Sequence, residues 1–167
     1  MARLLSPQTR NRLSLRGLSR MRTAVLPIAR NYRFVLSERL TTEFGVVAVV
    51  GPAGVLAAAL RRVGDAWKLE LMGPVRLDAV RPQPGELVVR RTQLAAEVGA
   101  NRPITDAGLW FDGRAFASRG GASADGRHLT MFGEAPQPLT PGRHTVVAFA
   151  AAGREASALA WAFSVRR

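Results

Sequence analysis

From Thr41 onward, Gly, Pro, Asn and Asp interrupt the chain at intervals of about ten residues, which leaves room for short strands but not for helices of three turns. Gly51-Pro52-Ala53-Gly54, Gly64-Asp65, Gly73-Pro74, Arg81-Pro82-Gln83-Pro84-Gly85, Asp112-Gly113 and Asp125-Gly126 are the strongest breaks. Proline presets φ and glycine accepts positive φ, so each reads as a turn. The chain is therefore expected to be all-β.

The runs between the breaks fit that expectation. Val46–Val50 is β-branched and predicts a strand, with Val55–Arg62 as its return. Trp67, Leu69 and Leu71 alternate with Lys68 and Glu70, the period of a half-buried strand. These three strands form an expected meander over residues 41–72. Phe44–Leu60 is free of charge for seventeen residues, the bottom of the membrane-spanning range, but the turn tetrad at its centre predicts two strands instead. Past Gly73-Pro74 come Val75–Ala79, Leu87–Val89, Leu94–Val98, Leu109–Phe111, His128–Phe132, His144–Ala150 and Ala158–Val165. Six or seven short strands in residues 73–167 predict an antiparallel sandwich. Gly120–Ser123 is expected to be a flexible loop. In the last strand Leu159, Trp161, Phe163 and Val165 share a face against Ala160, Ala162 and Ser164, so Trp161 and Phe163 are expected in the core. Trp110 falls on the opposite face from Leu109 and Phe111. Burial is the expectation, because sandwich cores favour one tryptophan. The alternative is an exposed ring which, with Arg114, makes a candidate contact for sugar or protein.

Charge is concentrated at the start. Residues 1–40 hold nine Arg and one acid, Glu38, within a chain of net charge +12 that has a single lysine, Lys68. Arginine in place of lysine, with abundant Ala and Gly, follows GC-rich coding, so the high isoelectric point is discounted as a functional signal. Residues 1–40 are expected to form a basic arm, flexible or weakly helical: Leu15, Leu18, Met21 and Val25 gather on one side of a helical wheel, opposite Arg12, Arg16 and Arg20. The arm has three readings: a solvated segment, a surface for nucleic acid or anionic lipid carried by Arg10, Arg12, Arg16, Arg20 and Arg22, or an Arg-rich presequence. Its only aromatics, Tyr32 and Phe34, stand at its far end, so the interleaved rings of a base-stacking surface are lacking.

The segments RPQPGELVVRRTQLAAEV (81–98), ITDAGLWFDGRAF (104–116) and LTPGRHTVVAFAAAGREASALAWAFSV (139–165), in that order, resemble a bacterial immunoglobulin-like domain over residues 74–165. More weakly, GDAWKLEL (64–71) makes residues 42–71 similar to the last hairpin of NTF2-like domains. The first resemblance implies a spacer, stalk or binding platform at a cell surface or in secreted proteins, although no apolar signal segment is visible in residues 1–40. It also places His144 at the corner that opens the penultimate strand, where a side-chain hydrogen bond fixes the loop.

Catalytic and metal chemistry find little to work with. The absence of cysteine excludes disulfides, thiolate metal sites and thiol catalysis. His128 and His144 are the only histidines, and neither sits in a metal-ligand motif. Ser118, Ser123, Asp125 and His128 lie near one another, but without the strained elbow of a serine nucleophile. The expectation is a non-enzymatic structural or adhesive module without cofactor, presenting a β-sandwich surface to a protein or an envelope polymer. Two alternatives stand beside it: the basic arm as an anchor on nucleic acid or an anionic membrane, and a homo-oligomer built through sandwich edge strands.

Overall fold

The computed structural model describes residues 4–12, 17, 19, 20, 32–71 and 73–166. Its strands form three sheets. The first is a meander of β1 (Arg33–Arg39), β2 (Phe44–Gly51), β3 (Gly54–Val63) and β4 (Ala66–Glu70), each paired with the next. Gly51 pairs with Gly54 around Pro52-Ala53, and Val63 pairs with Ala66 around Gly64-Asp65 with Gly64 at φ 60°, as the turn chemistry requires.

The meander has one strand more than the three expected. β1 comes out of the basic arm, pairs antiparallel with β2, and buries only Leu36 while its charged residues stay exposed. One buried side chain among three charged residues gives almost no alternation to read. The faces of β4 are also reversed from the expected sense. Glu70 is buried and Trp67 is exposed, because the chain start supplies Glu70 with polar neighbours.

The second sheet has the order β10 (Arg119–Ala122), β11 (His128–Glu134), β7 (Gln93–Gly99), β5 (Arg76–Arg81). Here the expected flexible loop at Gly120–Ser123 is corrected, since Gly120, Gly121 and Ala122 belong to β10 and pair with Met131, Thr130 and Leu129. The third sheet runs β6 (Leu87–Val88), β13 (Glu155–Val165), β12 (Gly142–Ala152), β8 (Asp106–Phe111), β9 (Arg114–Phe116). All of its pairs are antiparallel except β6 with β13. The two-residue turn Asp112-Gly113 has both residues at positive φ, 48° and 79°, which matches the right-handed twist of the β8–β9 hairpin.

The third sheet lies between the other two. Along β12, Val146, Ala148, Ala150 and Ala152 join a core with Leu94, Ala96, Val98 and Met131 of the second sheet. The alternate residues Val147, Phe149 and Ala151 join a separate core with Leu36, Phe44, Val46, Ala48, Ala57 and Ala59 of the meander. Strand periodicity sends successive side chains to opposite faces, so β12 is buried on both. Its sequence, TVVAFAAA, accordingly lacks polar alternation. Trp161, Phe149 and Phe163 are among the largest fully buried side chains, each stabilising by about 2–3 kcal/mol through removal from water. The expected burial of Trp161 and Phe163 is observed.

The described part of the chain start is docked. Leu5 is buried and bridges Leu69 in parallel, and the Ser6 amide donates to the Leu69 carbonyl at 2.9 Å. Ser6 then caps the short helix α1 (Pro7–Arg12): its hydroxyl accepts from the Thr9 amide at 3.1 Å, with Pro7 at the first helical position. The Arg12 guanidinium donates to Glu155 at the start of β13. α1 is a single short helix, and no described helix is long and apolar enough to cross a membrane. Most of the expected amphipathic pattern of residues 10–25 lies outside the described residues.

Candidate binding surface

The side chains that sequence reasoning singled out for chemistry are tied into local structure. Ser123 donates from its hydroxyl to Asp125 Oδ1 at 2.6 Å, and the His128 main-chain amide donates to that hydroxyl at 3.0 Å. The serine therefore meets the carboxylate directly and the histidine only through its backbone, the reverse of a nucleophilic triad, in which the ring stands between them. The Ser123 hydroxyl, and after it the Arg127 amide, hold the Asp125 carboxyl below its usual range. This cluster closes the β10–β11 connection.

His144 fixes a second corner. Its Nε2 lies 2.8 Å from the Thr140 carbonyl four residues upstream, the expected loop-fixing bond. Its Nδ1 lies 2.7 Å from Asp112 Oδ2, and Asp112 Oδ1 accepts from the Thr145 amide at 2.8 Å. Both ring nitrogens thus face groups that accept. The ring also stacks on Phe111, with centroids 5.2 Å apart. The adjoining Gly113 is where the central sheet touches β1: a Cβ there would stand 2.1 Å from the Val35 carbonyl oxygen.

Beside this corner, between the start of β1 and the start of β12, lies a polar cleft of about 480 Å³. Arg33 and Val35 line it from β1, Asp112 from the β8–β9 turn, and Thr140, Arg143 and Thr145 from the segment opening β12. Register places both arginines toward the gap between the sheets. Arg33 pairs with Val50 on the meander, and Arg143 shares a face of β12 with Val147 and Phe149, which pack toward the meander. Arg33 and Arg143 are both exposed and appear in none of the ion pairs among the described residues.

No family model matches the chain. No curated protein matches it either.

The sequence candidates are dispersed. Trp110 is buried, and its Nε1 donates to Glu38 Oε2 at 2.7 Å. The exposed-ring alternative for Trp110 with Arg114 is thus corrected: the face opposite Leu109 and Phe111 is covered by the meander. Arg114 is exposed on β9. Of the five arm arginines, Arg12 is held by Glu155, Arg10 and Arg20 are exposed, and Arg16 and Arg22 lie outside the described residues. Among the described residues no three acidic or histidine side chains gather as metal ligands would.

Sequence reasoning missed the polar node beneath α1. Thr9 Oγ1 accepts from the Leu71 amide at 2.9 Å and lies 3.4 Å from Glu70 Oε1, with Ser6, Thr9 and Glu70 all buried. It also missed the Arg33–Arg143 cleft. Arg143 carried a signal, since it precedes the corner residue His144 and strand alternation turns it to the other face. Arg33 carried none among the nine arginines of residues 1–40.

Proposed function

We propose that this chain is a non-enzymatic β module that offers its surface to a protein or an envelope polymer. The observation that carries this reading is the commitment of its acid–base side chains to turns and corners. Both nitrogens of His144 are bonded within the fold, and Ser123 and Asp125 bond each other.

The immunoglobulin-like reading of residues 74–165 is part of the proposal and is supported by topology. The order β5-β7-β11-β10 facing β13-β12-β8 corresponds to strands A-B-E-D facing G-F-C of that sandwich. The bond from His144 to the Thr140 carbonyl corresponds to the corner in which a side chain opening strand F reaches back to the main chain. Self-assembly is the second reading, favoured by β10, which ends its sheet with all four residues exposed.

Two measurements on the full-length protein test the pair: co-sedimentation with insoluble cell-wall polymer, and size-exclusion chromatography with light scattering at low and high salt. A monomer that sediments with the polymer supports the module. A stable oligomer at both salts that ignores the polymer transfers support to the edge-strand reading.

A further inference from the structure

We propose that the cleft between the start of β1 and the start of β12 is a phosphate-binding site, with Arg33 and Arg143 as its ligands. This rests on the surface-binding reading above and assigns it a place and a chemistry.

Three observations carry the proposal. The first is convergence: Arg33 and Arg143 line one cleft from two different sheets and are turned by register into the same inter-sheet gap. Like charges facing one cleft repel each other unless an anion stands between them. The second is that neither arginine is held by a carboxylate. Asp112, the carboxylate in the cleft wall, has Oδ2 on His144 and Oδ1 on the Thr145 amide. Both of its oxygens are thus engaged, and neither arginine enters an ion pair among the described residues. The third is rigidity. Gly113, packed on the Val35 carbonyl, and the His144 bond to Thr140 fix both walls, so the cleft is formed before a ligand arrives.

The arrangement favours phosphate over carboxylate. A carboxylate offers one planar edge, which a single guanidinium fills with two parallel bonds. A phosphate offers several oxygen edges and bridges two guanidiniums approaching from different walls. The cleft is open and about 480 Å³ in volume, so it admits a phosphate that remains attached to a chain, as in a wall glycerol-phosphate polymer or a nucleic acid.

The test is a titration of the full-length protein with inorganic phosphate, followed by amide chemical shifts, and then with a glycerol-phosphate oligomer and a thymidylate oligomer. Phosphate is expected to shift the amides of Arg33, Arg143 and Thr145 saturably. Arg33→Ala and Arg143→Ala are each expected to weaken binding by about tenfold or more, the scale of one charge-assisted hydrogen-bonded contact. Arg143→Lys is expected to recover part of the loss, and Arg119→Ala, on the distant strand β10, to leave binding unchanged. Thermal melts check that every variant is folded. No saturable shift in these amides overturns the site, as does a loss in Arg119→Ala equal to that in Arg143→Ala, which would mark diffuse attraction. Tighter binding of one oligomer supports the site and identifies the source of its phosphate. Wall-polymer sedimentation that persists in the Arg33→Ala/Arg143→Ala double variant overturns the cleft while leaving the module reading standing. Phosphate binding without sedimentation does the reverse.

Discussion

The central sheet meets its two neighbours through different chemistry. Toward β5, β7 and β11 it presents Trp161, Phe163, Leu109 and Val146, answered by Leu94, Val98 and Met131. Toward the meander it presents Ala151, Ala156, Ala158 and Ala160, answered by Ala48, Ala57 and Ala59, with Phe44, Phe149 and Trp110 as the large rings on that side. One interface interlocks bulky side chains. The other brings two backbones close, and β3 and β13 make the most extensive contact of any strands not joined in one sheet. A sheet built this way is vulnerable to opposite errors on its two faces: removal of volume on one, addition of volume on the other.

The largest test of that contrast is Trp161→Ala, expected to cost about 3–5 kcal/mol through lost burial and a residual cavity, read from the midpoint of urea unfolding. A loss below about 1 kcal/mol would mean that the bulky face is not the main store of stability. A finer test uses two neighbours on β12 that are both fully buried, Ala150 facing the second sheet and Ala151 facing the meander. Ala151→Leu is expected to cost about 2–3 kcal/mol and Ala150→Leu about 1 kcal/mol, because side chains yield more readily than backbone. Equal costs would erase the distinction. Smaller again is Trp110→Phe, which keeps most of the ring volume but removes the donor to Glu38, for a loss of about 1 kcal/mol. Glu38→Gln, which keeps an acceptor, should cost less than that in the same urea unfolding.

The smallest effect lies outside both interfaces. The carboxyl of Asp125 is held below its usual value by Ser123 and then Arg127, so it adds stability above the unfolded pKa and loses it as pH falls through the folded value. Asp125→Asn should therefore be less stable than the wild type at neutral pH and should converge with it in acid. A constant difference at all pH values would assign the effect to geometry instead of charge.

Much of the strand pattern was legible because turns are local. Gly51–Gly54, Gly64-Asp65 and Asp112-Gly113 announce themselves through φ preferences that need no tertiary context. The third layer was legible only in part. Ala160 and its neighbours alternate with Trp161 and Phe163, and alanine does not say whether its face meets water or another sheet. The unbroken apolar run of β12 was the better signal, since a strand with one wet face alternates. The same ambiguity obscured Trp110, whose face is decided by strands more than fifty residues earlier. The polar node under α1 was not legible at all: nothing in the sequence around Ser6 and Thr9 points to Glu70. The binding cleft shares this limit, because Arg33 and Arg143 become neighbours only when the meander folds onto the central sheet.

Gly73-Pro74 divides the chain into two stretches of sequence, and the double burial of β12 determines what that division means for moving parts of the chain between proteins. A transplant beginning at Val75 would take Trp110, Val147 and Phe149 along without Phe44, Val46 and Leu36, which cover them. The graft would carry an adhesive patch its source never shows to solvent, and the remnant left behind would carry the matching one. The unit of exchange is the stack of three sheets, and a shorter graft needs those three positions rewritten as polar residues first.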